Sequence, residues 1–338
     1  MTHELKYLFD TLKLWQQTGR KAVFVTVVAL DGSSYRRPGV QMVISEEGEI
    51  VGLVSGGCVE GEIVRQSKSV FRTGNPKMMT YDGRLRIGCE GILYIMIEPV
   101  FISNELFLSF ERALANRDKI RTEAFYYRKV DEYLNIGTLI TLNGKAYPLN
   151  PSFPMGIIGD QLCFSQTFEP IFRLYIIGAE HDAVMLCQAA KLLGWEVTIV
   201  ASTDEEKSCE YFPGANAMIT PMFEQIDTSV FDHQTAVMLM THSYNKDVQY
   251  LMALRNCNPA YLGLIGSMKR RERVIEMLIE YCPDTPLEFL DQIHGPAGLN
   301  IGAESPSEIA VSILAEILSV IRNQQPGPLR DKKGSIHG

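Results

Sequence analysis

The sequence predicts an α/β protein with an N-terminal mixed α+β domain and a C-terminal Rossmann-like parallel sheet with flanking helices. The chain has 338 residues, which is long for one domain and sufficient for two. β-branched apolar runs separated by short turns fill the first half, whereas from about residue 171 apolar runs alternate with helical patterns. That alternation is typical of parallel strands joined by crossover helices. We expect an α+β domain at 1–168, a Rossmann-like domain at 169–325 and a disordered tail at 326–338.

The N-terminal domain is predicted to begin with an amphipathic helix that ends near Gln17, because Thr18 and Gly19 interrupt the helical pattern. A hairpin turn is expected at Glu46–Gly48. We expect further strands at 21–30, 40–45, 49–55, 92–100, 124–130, 137–149 and 159–168, and helices at 60–74 and about 104–118.

The C-terminal domain is predicted to repeat strand and helix in turn. We expect strands at 173–178, 195–202, 232–242 and 260–266, and helices at 181–194, 245–256, 268–282 and 306 to about 322. The last helix has the clearest start signal, since Ser305 and Glu308 can form a capping box with Pro306 at the first helical position.

Composition and charge exclude several classes of protein. The net charge of −8 would repel a nucleic acid backbone, so we expect no nucleic acid partner. No apolar run is long enough for a membrane span, and Glu4 and Asp10 interrupt the first helical pattern, so a signal peptide is not indicated. The expected location is therefore the cytoplasm. Seven scattered cysteines, with no zinc-like spacing, argue against a disulfide framework or a structural zinc site.

The turn after the strand at 173–178 resembles the phosphate-binding turn of a dinucleotide fold. Gly178 stands at the tight turn, but Glu180 occupies the place where a second glycine would let a pyrophosphate approach. The next strand ends on Ala201 and Ser202, where an acidic ribose anchor is expected. These residues favour a Rossmann scaffold without a dinucleotide, and NAD(P) binding by an oxidoreductase stays open as the alternative.

Further candidate binding residues lie at other strand-to-helix junctions of the C-terminal half. Gly266 and Ser267 precede a helix that carries Lys269, Arg270 and Arg271, which suits either an anion site or a solvated helix face. Three histidines, each of which alone is more often structural, are candidate pocket residues because they follow strand ends: His181, His242 and His294.

The N-terminal half contains two glycine–cysteine elements. Ser55, Gly56, Gly57 and Cys58 join a strand to a helix, where glycine amides can form an anion-binding nest and the helix dipole favours a thiolate. Cys89, between glycines, repeats the pattern. The two thiols could bind a soft metal or relay sulfur, and the alternative is simple packing under a glycine turn.

Two arginines follow the first long strand. Arg36 and Arg37, beside a glycine–serine turn, are a candidate phosphate clamp, and the alternative is a surface turn with solvated charge.

In order and spacing, these elements resemble the XdhC/CoxI family. The residues that carry the resemblance are 31–45, 52–63 and 87–99 in the N-terminal half and 263–274 and 294–317 in the C-terminal half. The resemblance implies an accessory protein of xanthine dehydrogenase and related molybdenum hydroxylases. Such a protein would bind molybdenum cofactor (molybdopterin), support its sulfuration and insert it into the apoenzyme.

The resemblance also assigns roles to residues. Cys58 and Cys89 fall on the family's cysteine positions, and Gly178, Gly266, Ser267 and His294 fall on its pocket motifs. This chain departs from the family pattern where acidic residues or a glycine are common, at Glu180, Ala201, Ser243 and Asn300.

Our hypothesis from the sequence is a cofactor chaperone that needs no catalytic turnover. Molybdopterin would lie in a cleft between the domains, its phosphate held by Arg36 and Arg37 or by the Gly266–Ser267 turn. The partners would be an apo molybdenum hydroxylase and a cysteine desulfurase, and a homodimer is expected from the frequency of two-fold symmetry. A thiol-based metal or redox sensor that uses Cys58 and Cys89 is a further alternative.

Overall fold

The computed structural model describes residues 2–33, 37–55, 57, 59–85, 91–155 and 159–332. The chain divides into two compact units, Met1–Pro170 and Ile171–Gly338. Each unit has its own sheets and its own apolar cores.

In its described residues, the N-terminal unit combines three α-helices with two antiparallel sheets. Its elements are α1 (Thr2–Gln17), β1 (Ala22–Asp31), β2 (Gln41–Ser45), β3 (Ile50–Gly52), α2 (Glu60–Thr73), β4 (Lys77–Asp82), β5 (Ile92–Val100), α3 (Asn104–Ala115), β6 (Ile120–Tyr126), β7 (Asp131–Glu132), β8 (Gly137–Leu142), β9 (Lys145–Pro148) and β10 (Leu162–Phe168). The larger sheet has the order β3-β2-β1-β5-β4-β7 and the smaller one β10-β6-β8-β9.

Strand β1 explains how the larger sheet is covered on both faces. Its alternate residues Val23, Val25 and Val27 pack with α2, whereas Phe24 packs with α1 and α3. Because successive side chains of a strand point to opposite faces, a run of apolar residues lets one strand contribute to two cores. The glycine at the end of the α2 pattern also acts as expected, since Gly74 closes the helix with a left-handed φ of 74°.

The C-terminal unit contains a six-stranded parallel sheet. Its elements are β11 (Arg173–Ile177), α4 (His181–Leu192), β12 (Glu196–Val200), β13 (Ala217–Ile219), β14 (Thr235–Leu239), α5 (Tyr244–Leu254), β15 (Tyr261–Leu264), α6 (Met268–Tyr281), α7 (Leu287–Asp291), β16 (Ile293–His294) and α8 (Pro306–Ile321). The strand order is β13-β12-β11-β14-β15-β16, which is the order of a Rossmann fold. The predicted fold class is therefore confirmed.

Helices cover both faces of this sheet. Residues of α4 and α8 pack on one face around Leu174 and Ile176, and residues of α5, α6 and α7 pack on the other around Ile177 and Leu239. The predicted capping box at the start of α8 is present, with Ser305 and Glu308 each bonding the other's backbone amide. Among the helices that the structure describes, none is both long and apolar enough to cross a bilayer.

Candidate functional site

The connections β1–β2, β3–α2 and β4–β5 all leave the larger sheet at one end. Asp31 is paired with Ile92, and Asp82 is paired with the same Ile92, so β1 and β4 end where β5 starts. On the other side of β1, β3 ends where β2 starts, with Gly52 beside Met42. The fold thus brings to one sheet end the segments that carry three separate sequence elements.

Four of the predicted site residues belong to these segments but lie outside the described residues: Arg36, Gly56, Cys58 and Cys89. Their described neighbours give the framework. Gly91 packs so closely on the first segment that an added Cβ would lie 2.6 Å from the carbonyl oxygen of Ser33 and 2.9 Å from that of Asp31. Only glycine permits this approach of the two backbones.

Glu60 anchors the turn that precedes α2. One carboxylate oxygen accepts hydrogen bonds from the backbone amides of Ser55 (2.7 Å) and Val54 (3.2 Å), and the other accepts from the Ser55 hydroxyl (2.9 Å). Burial acts to raise the pKa of Glu60, but these hydrogen bonds outweigh it and hold the pKa below its ordinary value. Glu60 was not among the residues predicted from the sequence, although a carboxylate in the first turn of a helix is a recognisable signal.

Ser55 and Gly57 hold the turn together from within. The Ser55 hydroxyl accepts from the amides of Gly57 and Val59, each at 3.3 Å, and Gly57 has a left-handed φ of 109°. The Gly57 amide is therefore engaged by Ser55, so a nest for an anion would have to use other amides of the segment.

A polar cluster stands at the end of β1, beside the same segments. Asp31 accepts from the Tyr94 hydroxyl (2.9 Å) and from the Arg128 guanidinium (2.9 Å), and that guanidinium lies 4.9 Å from the centre of the Tyr94 ring. The bond from Tyr94, followed by that from Arg128, lowers the pKa of Asp31. Arg37 follows β1 in the sequence, and its side chain is exposed. It forms no ion pair with another residue that the structure describes.

In the C-terminal unit, Gly178, His181 and His242 come together at the carboxyl ends of β11 and β14. A Cβ on Gly178, whose φ is 131°, would lie 2.3 Å from the carbonyl oxygen of Met240. His242, also with positive φ, places Nε2 3.6 Å from a carboxylate oxygen of Asp182, the residue after His181. Glycine at 178 is thus required for the close contact between neighbouring strand ends.

A small pocket of about 50 Å³ opens between these ends and that of β12. Its lining residues are Gly178, Ala179, Glu180, Val200, Ser202, Glu205, Thr241, Lys246 and Tyr250. The Lys246 ammonium donates to the Ser202 hydroxyl at 2.9 Å. The bond from Ser202, together with the charge of Lys246, lowers the pKa of Asp204. Where a dinucleotide fold presents a free carboxylate to ribose, this chain presents a hydroxyl bound to an ammonium group.

The Gly266–Ser267 turn is held by an internal ion pair. Ser267 caps α6 by accepting from the Arg270 amide at 3.3 Å. The Arg270 guanidinium bonds Asp247 at 2.6 Å, and Asp247 is completely buried and also accepts from Thr241 at 2.5 Å. Arg270 therefore has a structural role as the partner of Asp247. Its guanidinium is neither a solvated charge on the helix face nor free to bind a ligand.

His294 joins the neighbouring strand end to α8. Its Nδ1 lies 3.3 Å from Glu316, its ring stacks on Tyr261 at 4.4 Å, and the Tyr261 hydroxyl bonds the same carboxylate at 2.5 Å. The Ala297 amide donates to Leu264 at 3.0 Å, which ties the loop after β16 to the end of β15. The structure thereby groups Gly266, Ser267 and His294 on adjacent strand ends.

Within the part of the chain that the structure describes, no group of three or more His, Cys, Asp or Glu side chains has a metal-binding arrangement. The five cysteines in that part are free thiols: Cys163, Cys187, Cys209, Cys257 and Cys282. Burial raises the pKa of Cys163, of Cys257 and, to about 11, of Cys187, so these three thiols are poor thiolates at neutral pH.

Comparison with known proteins places the chain in a family. Residues 15–82 match the model described as the XdhC and CoxI family, and residues 174–317 match the XdhC Rossmann domain. A relative from Bacillus subtilis, described as a probable xanthine dehydrogenase subunit, is 30% identical over 321 residues, with 88% of this chain and 92% of the relative covered. The chain belongs to the XdhC and CoxI family.

Two further matches extend along most of this XdhC/CoxI family chain. The "Molybdenum cofactor insertion chaperone PaoD" of Escherichia coli is 28% identical over 313 residues, covering 91% of this chain and 86% of PaoD. A crystal structure described as a xanthine dehydrogenase from Bacillus halodurans superposes with a TM-score of 0.75 at 24% identity, covering 95% of this chain and 98% of that one. The second match supports the fold alone.

Proposed function

We propose that this protein binds molybdenum cofactor and inserts it into an apo molybdenum hydroxylase of the xanthine dehydrogenase type. Membership of the XdhC and CoxI family and the cofactor-insertion role named for the E. coli relative support a role in maturation. The structural observation that carries the proposal is the gathering of three sequence elements at one end of the larger sheet, around a turn that Glu60 fixes.

In this proposal, different residues at the sheet end contact different chemical groups of the cofactor. Cys58 and Cys89 would contact the molybdenum or its sulfur, because soft thiolates suit both. Arg36 and Arg37 would hold the phosphate, and the exposed, unpaired state of Arg37 in the described part of the chain fits that role. Ser55, Gly56 and Gly57 would shape the turn, since the Ser55 hydroxyl is already bonded to Glu60.

Within the C-terminal unit, the strand ends would be a separate candidate ligand surface. Gly266, Ser267 and His294 form one group on β15 and β16. The other group, Gly178, His181 and His242, lies on β11 and β14. Both stand at carboxyl ends of parallel strands, where ligands of open α/β sheets bind.

Two features of the C-terminal pocket make an NAD(P)-linked oxidoreductase the weaker proposal. Glu180 stands at the start of α4, where its carboxylate would face a pyrophosphate. At the end of β12, where an acidic ribose anchor is expected, stands Ser202, whose hydroxyl accepts from Lys246.

Sulfuration of the cofactor would be a further step that this protein supports. A thiol at Cys58 or Cys89 would hold the sulfur, and a cysteine desulfurase is the class of enzyme that supplies it. The strand order supports this step, because the β3–α2 and β4–β5 connections, which carry Cys58 and Cys89 in the sequence, leave the larger sheet at the same end.

The test is the pterin content of the protein purified from cells that make molybdenum cofactor, measured by fluorescence after oxidation. We expect about one pterin per chain in the wild type and a loss in Cys58→Ala and Cys89→Ala. The matched control is Cys163→Ala, because Cys163 is exposed and lies on β10 of the smaller sheet. A wild-type protein that carries a nucleotide and no pterin would contradict the proposal. A reversible Cys58–Cys89 disulfide without pterin would favour the sensor.

A further inference from the structure

The carboxylate of Glu316 collects three hydrogen-bond donors from three parts of the C-terminal unit. It accepts from the Tyr261 hydroxyl (2.5 Å), the Gly298 amide (2.7 Å) and Nδ1 of His294 (3.3 Å). Burial acts to raise the pKa of Glu316, but the bonds from His294, Tyr261 and Gly298 outweigh it and hold the pKa below its ordinary value. Glu316 is therefore an acceptor toward all three groups.

This arrangement selects one tautomer of His294. In the neutral imidazole, the Nδ1 atom that faces this accepting carboxylate carries the ring proton, and Nε2 is left with a free lone pair. No residue that the structure describes forms a hydrogen bond or ion pair with Nε2, and about a third of the side chain (31%) is exposed. The ring is also fixed in plane, because it stacks on Tyr261 at an angle of 22°.

His294 stands at a carboxyl strand end, where ligands of open α/β sheets bind. It is the last residue of β16 and pairs with Gly263 of β15. Arg271 lies against the following residue, since a Cβ on Gly295 would be 2.9 Å from its side chain, and no ion pair joins Arg271 to any described residue. Arg271 Nε also donates to the Ile293 carbonyl at 3.4 Å, which ties the start of α6 to β16.

We propose that Glu316 and Tyr261 are positioning residues that hold His294 so that Nε2 accepts a hydrogen bond from an N–H group of the bound ligand. A reduced pterin ring presents such N–H donors along its edge. This inference rests on the proposed function, because the ligand class is the pterin of the cofactor. This ligand-binding role of His294 is distinct from the structural role of joining β16 to α8.

The chemistry of the carboxylate makes the inference testable by substitution. Glu316→Gln replaces one accepting oxygen with an amide that donates, so three donors can no longer be satisfied. The amide can face Nδ1 only if the ring changes tautomer, and Nε2 then becomes a donor. His294→Asn acts differently, because its side-chain amide can still donate to Glu316 while the atom equivalent to Nε2 is gone.

Two measurements on the full-length protein decide the matter. In ¹⁵N NMR of the ligand-free wild type, we expect the His294 signals, assigned by their loss in His294→Asn, to report a proton on Nδ1. Glu316→Gln is expected to move that proton to Nε2. A wild-type ring protonated on Nε2 would overturn the inference whatever the ligand.

The second measurement is the pterin content of protein from cells that make the cofactor. We expect His294→Asn to melt close to the wild type and to retain about tenfold less pterin, the effect of one lost hydrogen bond. The control is His233→Asn, since His233 precedes β14 at its amino end. Wild-type pterin retention by His294→Asn would refute this inference alone, whereas absence of pterin from the wild type would refute the proposed function as well.

Discussion

The carboxylate of Glu60 accepts the Ser55 amide at 2.7 Å and the Ser55 hydroxyl at 2.9 Å, across the turn that leads into α2. The side chain of Glu60 is only 5% exposed, so the bond fixes the turn in a site largely closed to water. The segment that carries Gly56 and Cys58 lies inside this turn by sequence. Glu60 therefore fixes Ser55 at the start of the turn.

Removal of the Glu60 carboxylate is expected to cost stability and cofactor retention together. In Glu60→Ala, three donors lose their acceptor, and we expect a loss of about 1–3 kcal/mol in the free energy of unfolding. Denaturation by urea measures it. Glu62→Ala is the control, because its ion pair with Arg65 is on the surface and should contribute less than about 1 kcal/mol. Equal losses in the two variants would contradict the anchoring role.

Glu98 should make stability depend on pH below neutrality. It is completely buried on β5, with the Thr138 amide (3.1 Å) and hydroxyl (2.5 Å) as donors, and burial raises its pKa to about 7. The folded pKa of Glu98 therefore exceeds its unfolded value of 4.5, so protonation of this carboxyl group favours the folded state. That contribution to stability is lost as the pH rises from the unfolded pKa through the folded pKa. We expect the contribution of Glu98 to lower the urea midpoint of the wild type as the pH rises from about 5 to about 7.

The matched variant for this pH effect is Glu98→Gln, whose amide can bond both groups of Thr138 and does not ionise. Its urea midpoint should change less with pH over the same range than that of the wild type. A pH profile identical in the two proteins would assign the dependence to other groups.

The ion pair between Asp247 and Arg270 should be among the most sensitive points of the C-terminal unit. Asp247 is fully buried, so Asp247→Ala leaves the Arg270 guanidinium without its counter-charge at a cost of about 3–5 kcal/mol. Thermal unfolding monitored by circular dichroism checks it. Glu276→Ala breaks an exposed pair with Arg273 and should change stability by less than about 1 kcal/mol.

Substitution of two glycines with positive φ distinguishes the energetic cost of backbone strain from that of a close contact. Gly19→Ala, at φ 78° with no atom within 4 Å of the new Cβ, should cost about 1 kcal/mol. Gly178→Ala, at φ 131° and 2.3 Å from a backbone oxygen, should cost on the order of 3 kcal/mol. Similar melting temperatures for the two variants would mean that the β11 and β14 ends can separate without cost.

Local patterns in the sequence were sufficient for most helices and strands. The alternation of apolar runs and helices after residue 171, and the capping box at Ser305, predicted the Rossmann-like half because both signals are contained within short stretches. The strand Lys77–Asp82 was missed, since its mixed polar sequence becomes a strand through pairing with β5. The short strands Ala217–Ile219 and Ile293–His294 were missed for the same reason.

The interactions that organise the candidate site could not be read from the sequence. Glu316 meets Tyr261 across 55 positions and Arg128 meets Asp31 across 97, so each pairing depends on how separate elements pack. Arg270 was grouped with Lys269 and Arg271 as a basic helix face, but it is the internal partner of Asp247. Glu60 was within reach of sequence reasoning, because it directly follows the glycine–cysteine turn at a helix start.

The most direct test of the central claim is transfer of cofactor to a client. The protein would be loaded with molybdopterin, mixed with an apo molybdenum hydroxylase of xanthine dehydrogenase type and separated by gel filtration, with pterin fluorescence measured in each fraction. Our account predicts that pterin moves into the hydroxylase fraction faster than from free cofactor, and that Glu60→Ala impairs this movement. Pterin that never binds the protein, or that reaches the hydroxylase at the same rate without it, would contradict the account.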